Sequence, residues 1–411
     1  MLFHRLAAAL AFLVAATFAA SPATAAPAAK GAHAAVPAAP TGIPQRGTPS
    51  ATAAPAATAG PPAIVASAYV LIDVTSGQVL LAQNADERRD PASLTKIMTA
   101  YLAFAAIRDK AITPSQQVTV SDAAWRAEGS RMFIEPRKAV SVDELLRGMI
   151  VQSGNDASIA LAELIAGSEP AFAERMNAEA KRLGLVNTHF TNATGLSNPQ
   201  HYASAGDLAR LASALIRDFP NDYPLYSLKE FRYNNIAQPN RNRLLWIDPY
   251  VDGVKTGHTE AAGYCLIASA KRGERRLLSV VLGAGSDAAR ATESQKLLNY
   301  GFQAFDTVLL YGPDKPISNL RVWKGAEKEV PAGTLASQYV TLPKGRAEKL
   351  ELSMAATEPL IAPVTKGQRV GTVNIALEGK AVAEFPLVAL QDVPAGNFFG
   401  RAWDSVRLWI K

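Results

Sequence analysis

Cysteine is almost absent from this chain: Cys265 is the only one in 411 residues. No intramolecular disulfide can form, so the fold must be held by its core, and 48% hydrophobic content over this length is enough for two domains. Cys265 lies in the apolar run Tyr264-Cys265-Leu266-Ile267-Ala268 with no histidine in an obvious partnering role, which reads as inert packing rather than as a nucleophile. Histidine is scarce too. His4, His33, His189, His201 and His258 form no HExxH pairing, so a zinc hydrolase is unsupported. No GxSxG occurs, which disfavours a serine hydrolase of the nucleophile-elbow kind. The net charge of +6 is spread along the chain without a dense basic stripe or a recognition motif, so nucleic acid is not an expected partner. There is no internal repeat.

The two ends are compositionally distinct from the middle. Residues 1–25 have a basic start at Arg5, an apolar core from Leu6 to Ala20 and a small-residue pattern at Ala23-Thr24-Ala25. They read as a secretory signal peptide: the apolar core is short, and nothing like a stop-transfer flank follows. Residues 26–62 are almost all Ala, Pro, Gly, Thr and Ser, a composition that cannot bury enough apolar surface to offset its conformational entropy, and they read as a disordered tether. Residues 394–411 form the other distinct end. At helical period Phe399, Ala402, Trp403, Val406, Trp409 and Ile410 share one face, while Arg401, Asp404, Ser405, Arg407 and Lys411 take the other. This suits a helix lying in a membrane interface better than one packed on its own domain.

Between these ends the hydrophobic period changes once. Tyr69 to Asp73 and Gln78 to Ala82 flank Thr75-Ser76-Gly77 as a hairpin, and Ser141 with Glu144 makes a capping box opening a helix over Val142 to Val151. Further helical patterns cover Ala157 to Ala166, Pro170 to Leu183 and Gly206 to Arg217. Cys265 to Ala270 and Leu277 to Leu282 then read as strands, with a last helix near Ser294 to Phe305. The fold class expected over residues 63–304 is therefore α/β (α+β), an antiparallel sheet covered by helices in which early and late strands meet. Over 305–393 short alternating runs take over, with Val370 to Ala376 and Ala381 to Leu387 joined through Glu378-Gly379, and a small all-β sandwich is expected.

Three short motifs carry chemistry. Ser93-Leu94-Thr95-Lys96 begins an apolar helical stretch and puts a hydroxyl and an amine at i and i+3, on one face of the helix. Serine needs a base to remove its proton, and burial or nearby positive charge favours the neutral amine that Lys96 needs to serve. An isolated SxxK more often means a capping serine and a surface lysine. Here Ser153-Gly154-Asn155 follows, interrupting a helical pattern, and then Lys255-Thr256-Gly257 ahead of a strand. These three, in this order, are the signature of class A β-lactamases and penicillin-binding proteins.

With Lys255-Thr256-Gly257-His258-Thr259 in view, the chain resembles the low-molecular-mass penicillin-binding proteins, specifically the D-alanyl-D-alanine carboxypeptidases of the penicillin-binding protein 5 type. Leu244-Leu245-Trp246, Val251-Asp252-Gly253-Val254, Ala261-Ala262-Gly263-Tyr264 and Gly396-Asn397-Phe398-Phe399-Gly400 agree as well. The resemblance implies a transpeptidase-like domain, a β domain and an amphipathic membrane anchor. It makes Ser93 the acyl-forming nucleophile and Lys96 its base, with Ser153 relaying a proton. Asn155 would hold Lys96 and the substrate's peptide carbonyl. Lys255 would depress the Lys96 pKa and attract a carboxylate, which Thr256 and Thr259 would bind across Gly257. The oxyanion hole would be the backbone N–H groups of Ser93 and His258, each contributing about 3 to 4 kcal/mol; the His258 imidazole reads as packing at the site rim.

The partners that follow are peptidoglycan stem peptides ending in D-Ala-D-Ala, β-lactams as inhibitors, and a membrane surface reached through the C-terminal helix. No cofactor or metal is called for, and a homodimer is left open. The expected location is the periplasmic face of the bacterial inner membrane, with peripheral attachment. Two enzyme rivals share the site: a DD-endopeptidase on crosslinked stem peptides, which sequence separates poorly, and a class A β-lactamase. The latter needs a deacylating glutamate, and Asn187 to Leu196 contains no acid. A catalytically silent wall-binding protein is the rival from another class, disfavoured by three intact motifs. Gly206, Glu260 and Cys265 depart from residues frequent in the family.

Overall fold

The first hairpin is set by its turn. Gly77 takes φ +79° and donates its N–H to the Asp73 carbonyl at 2.7 Å, while the Asp73 carboxylate accepts the Thr75 and Ser76 amides at 2.9 and 3.3 Å. This pairs β1 (Ala68–Asp73) with β2 (Val79–Gln83) antiparallel. The computed structural model describes Ala54 and residues 60–410; the expected signal peptide over 1–25, and the tether over 26–62 apart from Ala54 and residues 60–62, lie outside the described residues.

A helical block follows: α1 (Lys96–Arg108), α2 (Val142–Val151), α3 (Asn155–Ala166), α4 (Glu169–Arg182) and α5 (Ala205–Asp218). Helix α1 is apolar almost all round and correspondingly central. Its Ile97, Met98, Ala100, Ala103 and Phe104 are fully buried, and each larger side chain contributes about 1.5–3 kcal/mol by leaving water. The capping box at Ser141 and Glu144 is present and starts α2. The chain then returns through β3 (Val251–Thr259), β4 (Gly263–Arg272) and β5 (Arg275–Ala284). The sheet order is β2-β1-β5-β4-β3, so early and late strands share one antiparallel sheet as expected, and β3 is an edge strand.

Helix α6 (Asp287–Ala304) starts seven residues before the expected Ser294. Ser286 caps it by accepting the Ala289 N–H, and Arg290 and Glu293 are buried through ion pairs with Asp287 and Lys296. Charged residues in the first two turns hide the apolar period that would otherwise mark this segment as helix.

Helix α6 runs directly into β6 (Phe305–Tyr311), the first of the strands that form the β domain. These continue as β7 (Pro316–Trp323), β8 (Glu329–Gly333), β9 (Gln338–Pro343), β10 (Leu350–Ala356), β11 (Leu360–Ile361), β12 (Arg369–Leu377) and β13 (Lys380–Ala389). A six-stranded sheet, β10-β12-β13-β8-β7-β11, and the β6-β9 pair share one core that includes Val322, Val330, Val340, Leu342, Val373 and Leu387. The β12–β13 hairpin turns at Glu378 and Gly379, both at positive φ. Last comes α7 (Phe398–Ile410), whose Phe398, Phe399, Trp403 and Trp409 stay exposed while Asp404 accepts the Lys324 N–H at 2.7 Å. Among the described residues no helix is long and apolar enough to cross a membrane.

A buried polar junction joins the helical domain to the β domain. The Asp73 carboxylate, already holding its own turn, also accepts Arg275 Nε at 2.8 Å and the Thr307 hydroxyl at 2.5 Å. Thr341 contacts Thr307 at 3.1 Å and Ser76 at 2.7 Å, and its N–H reaches Gln78 Oε1 at 2.5 Å. Removing the fully buried Asp73 carboxylate strands the mostly buried Arg275 guanidinium. Asp73→Ala should therefore lower unfolding stability by about 3–5 kcal/mol, measured by denaturant titration; a loss below about 1 kcal/mol would show the junction to be incidental.

Candidate active site

Ser93 stands in a tight turn rather than in the helix itself. Ala92–Thr95 forms a single 3-10 turn, and α1 begins at Lys96, so hydroxyl and amine still sit three residues apart on one side. Ala92, just before the serine, is held at φ +47°, a region costly for a residue with a side chain. Two contacts hold it there. Asp90 Oδ1 accepts the Ala92 N–H at 2.7 Å, and Gly195 leans against the Ala92 carbonyl so closely that a Cβ on Gly195 would come within 1.8 Å of that oxygen.

Lys96 Nζ lies 3.0 Å from Ser93 Oγ and donates to the Thr194 carbonyl at 2.5 Å. The side chain is 1% exposed. Burial, reinforced by the Arg241 guanidinium and opposed by the Asp156 and Glu169 carboxylates, brings its pKa down to about 7. The amine is therefore poised to exchange a proton near neutrality.

Ser153 and Asn155 bracket the break between α2 and α3. Ser153 takes φ +67°, and its buried Oγ has no hydrogen-bond partner among the described residues. Asn155 was expected to hold Lys96. Instead its Nδ2 donates to the Glu128 carbonyl at 2.6 Å, its Oδ1 is buried without a partner, and the Thr194 carbonyl holds the lysine. The neighbouring Asp156 carboxylate, fully buried, accepts the amides of Met132, Phe133 and Ile134 at 3.0, 2.8 and 3.2 Å, pinning the 128–134 loop to this motif.

The third motif explains its own glycine. A Cβ on Gly257 would stand 3.1 Å from the Pro91 carbonyl and 3.2 Å from the Ser93 nitrogen, tight enough that a side chain there would push β3 a few tenths of an ångström from the Ser93 turn. Lys255 was expected to be the cation that depresses Lys96. It is itself held well below the ordinary lysine range by burial and by Lys96, Arg241 and Arg290, and its Nζ donates to the Thr256 carbonyl at 3.0 Å. The repulsion between the two amines belongs to both, and burial and Arg241 act on Lys96 beside it. Thr259 also departs from expectation: its hydroxyl donates to Asp90 Oδ2 at 3.1 Å and accepts the Ala262 N–H, so Asp90 uses it as a clamp. The His258 imidazole is exposed and packs 4.1 Å from the Tyr264 ring, at the rim as anticipated. Cys265 is buried, with its thiol pushed up to about 11, which fits packing.

Sequence reasoning did not find Asp90, Asp156, Thr194, Arg241 or Arg290. Arg290 reaches from α6 to donate to the Gly257 carbonyl at 3.0 Å, fixing the peptide whose other end is the His258 N–H. Asp90 directly precedes Pro91 and the SxxK turn, so its capping of Ala92 was open to a local reading. Thr194 acts through its backbone, and backbone roles leave no side-chain signal.

Comparison with known proteins fits this geometry. A D-alanyl-D-alanine carboxypeptidase family model matches residues 55–286, and one for the C-terminal domain of penicillin-binding protein 5 matches residues 305–395. The D-alanyl-D-alanine carboxypeptidase DacC of Escherichia coli is 47% identical over 355 residues, 84% of this chain and 89% of that one. Penicillin-binding protein 5 from Haemophilus influenzae, solved by crystallography, aligns with a TM-score of 0.79 at 44% identity, covering 82% of this chain and 99% of that one. Penicillin-binding protein D2 of Listeria monocytogenes, solved in an ampicillin-bound form, aligns at 0.55 and 31% identity over 59% of this chain and all of that one. Fold and site thus define a serine-type carboxypeptidase of the penicillin-binding class. The chain belongs to the D-alanyl-D-alanine carboxypeptidase family, of the penicillin-binding protein 5 type.

An amine with a pKa of about 7 lying 3.0 Å from the Ser93 hydroxyl predicts a pH profile. Below that value Lys96 holds its proton and cannot take one from Ser93; above it the amine is free. The rate of penicillin acylation should therefore rise as pH climbs through about 7 and level off beyond it. A flat profile between about pH 5 and 9 would contradict the assignment of Lys96 as the titrating group.

Proposed function

We propose that Ser93 is the nucleophile and Lys96 its general base in removing the terminal D-alanine from stem peptides that end in D-Ala-D-Ala. The observation that carries this is the 3.0 Å approach of a buried amine with a pKa of about 7 to the serine hydroxyl. Lys96 takes the proton as Ser93 Oγ bonds to the carbonyl carbon of the penultimate D-alanine. The oxyanion forms between the N–H groups of Ser93 and His258. As the C–N bond breaks, Ser153 passes its proton to the departing D-alanine nitrogen and is reprotonated by the Lys96 ammonium, leaving an ester on Ser93 and a neutral amine on Lys96. Water then adds to that ester, giving up its proton to Lys96, and the trimmed peptide leaves with Ser93 restored.

Substrate recognition divides among the remaining residues. Asn155 meets the peptide backbone, for which its unpartnered Oδ1 is suited, and the Thr256 hydroxyl on β3 takes the terminal carboxylate beside Lys255, with Gly257 keeping the strand close. Thr259 helps indirectly, by tying the end of β3 to Asp90. β-Lactams acylate the same serine because their strained amide imitates the D-Ala-D-Ala bond, a reading supported by the ampicillin-bound relative. The peptidase domain spans 63–304 and the β domain 305–393, after a signal peptide over 1–25 and a tether over 26–62. The tail over 394–411 rests in the outer surface of the bacterial inner membrane through Phe399, Trp403 and Trp409, all exposed on α7.

Three experiments test this. Incubation with a pentapeptide ending in D-Ala-D-Ala should release D-alanine, read by mass. Lys96→Ala should lose at least about a thousandfold in both D-alanine release and fluorescent-penicillin labelling while unfolding at a similar temperature; near-normal labelling would reject the base. Deleting Asn397 to Lys411 should free the protein from membranes and leave turnover of a soluble peptide unchanged, whereas continued sedimentation with membranes would rule out the anchor.

A further inference from the structure

We infer that a groove on the Ser153–Asn155 side of the cleft binds carboxylates that the substrate peptide carries upstream of the bond being cut. The groove encloses about 710 Å³ and is lined by Trp125, Arg126, Arg131, Phe133, Ile134 and Glu135. It deepens the carboxypeptidase reading and rests on it, since it names what the same site recognises beyond D-Ala-D-Ala.

The groove is built from the segment that the second motif pins in place. The Glu128 and Ser130 carbonyls accept Asn155 Nδ2 and the Asn155 N–H, both at 2.6 Å, and Asp156 holds the amides of Met132, Phe133 and Ile134. The lining residues flank these anchor points on both sides, which sets the groove beside Asn155, the residue proposed to meet the peptide backbone.

Its chemistry is specific in sign. Arg126 and Arg131 sit 5.7 and 5.4 Å above the Trp125 and Phe133 rings, and among the described residues neither guanidinium has an ion-pair partner. The groove's own acid is occupied elsewhere: Glu135 pairs with Lys138 at 2.7 Å and accepts from Asn234. Both aromatic rings are held at the surface, Trp125 at 41% and Phe133 at 37% exposure. Phe133 is kept there at φ +68° by its amide bond to Asp156, a conformation that costs free energy and persists because the surrounding contacts impose it. Two free guanidiniums backed by aromatic faces fit a ligand with carboxylates on short aliphatic stems. A stem peptide bearing free carboxylates ahead of its D-Ala-D-Ala is the occupant this chemistry selects.

The test uses two peptides that end in D-Ala-D-Ala, one with free upstream carboxylates and one neutral. Each is offered as a substrate and, separately, as a competitor of fluorescent-penicillin labelling, which reads binding without turnover. The wild type should favour the acidic peptide, and that preference should shrink as salt is raised. In Arg126→Gln/Arg131→Gln the ratio of acidic to neutral competition should fall by about tenfold, mostly through KM. Arg137→Gln, an exposed arginine outside the groove lining, serves as the control and should keep the wild-type ratio. No preference in the wild type, or an equal fall for both peptides in the double variant, overturns the groove. If neither peptide releases D-alanine yet competition remains charge-dependent, the turnover reading fails and the groove stands.

Discussion

The contact between Lys96 and Ser93 is useful only because the amine is kept dry. Nothing in a three-residue spacing lowers a lysine's proton affinity; the sealed surroundings do. Helix α1 places Lys96 among buried side chains, the 190–195 segment closes over it with the Thr194 carbonyl, and Arg241 adds positive charge from a distance. Other constraints follow from keeping that enclosure tight against a reactive hydroxyl. Two segments press on the Ser93 turn: at Gly195 closer than any Cβ allows, and at Gly257 closer than a Cβ fits without a small shift. Ala92 and Ser153 sit at positive φ, as residues bordering a functional cleft often do.

Two carboxylates act as fixed hubs around this enclosure, each joining pieces distant in sequence. Asp90 binds the Ala92 amide, the Ser197 hydroxyl and the Thr259 hydroxyl, so it links the nucleophile's turn, the closing loop and the end of β3. Asp156 binds four amides and so joins the second motif to the loop in front of it. Every partner of these two acids is a hydrogen-bond donor, and among the described residues neither has a paired cation. The positive charge near the cleft is thereby left for incoming carboxylates.

Much of this was legible in the chain. The motif order pointed to the family, the capping box at Ser141 marked α2, and the period change near Phe305 marked the switch from helices to strands. What stayed hidden has a common cause: it depends on which distant segments touch. The start of α6 was missed because Asp287, Arg290 and Glu293 interrupt its apolar stripe, and only the folded neighbours make those charges buried and paired. Arg241 joins in lowering the Lys96 proton affinity, and the hold on Lys96 assigned to Asn155 falls to a backbone carbonyl, because side-chain type alone does not say which distant groups the fold brings to the amine.

The passage from α6 to β6 contains no linker: Ala304 ends one and Phe305 begins the other, and the Asp73, Thr307 and Thr341 contacts lock the corner from inside. A joint of this kind transmits orientation as well as attachment. The placement of α7 relative to the cleft is thus a dimension of the folded protein, like a mark on a ruler, set by this corner and by the tie between Asp404 and Lys324.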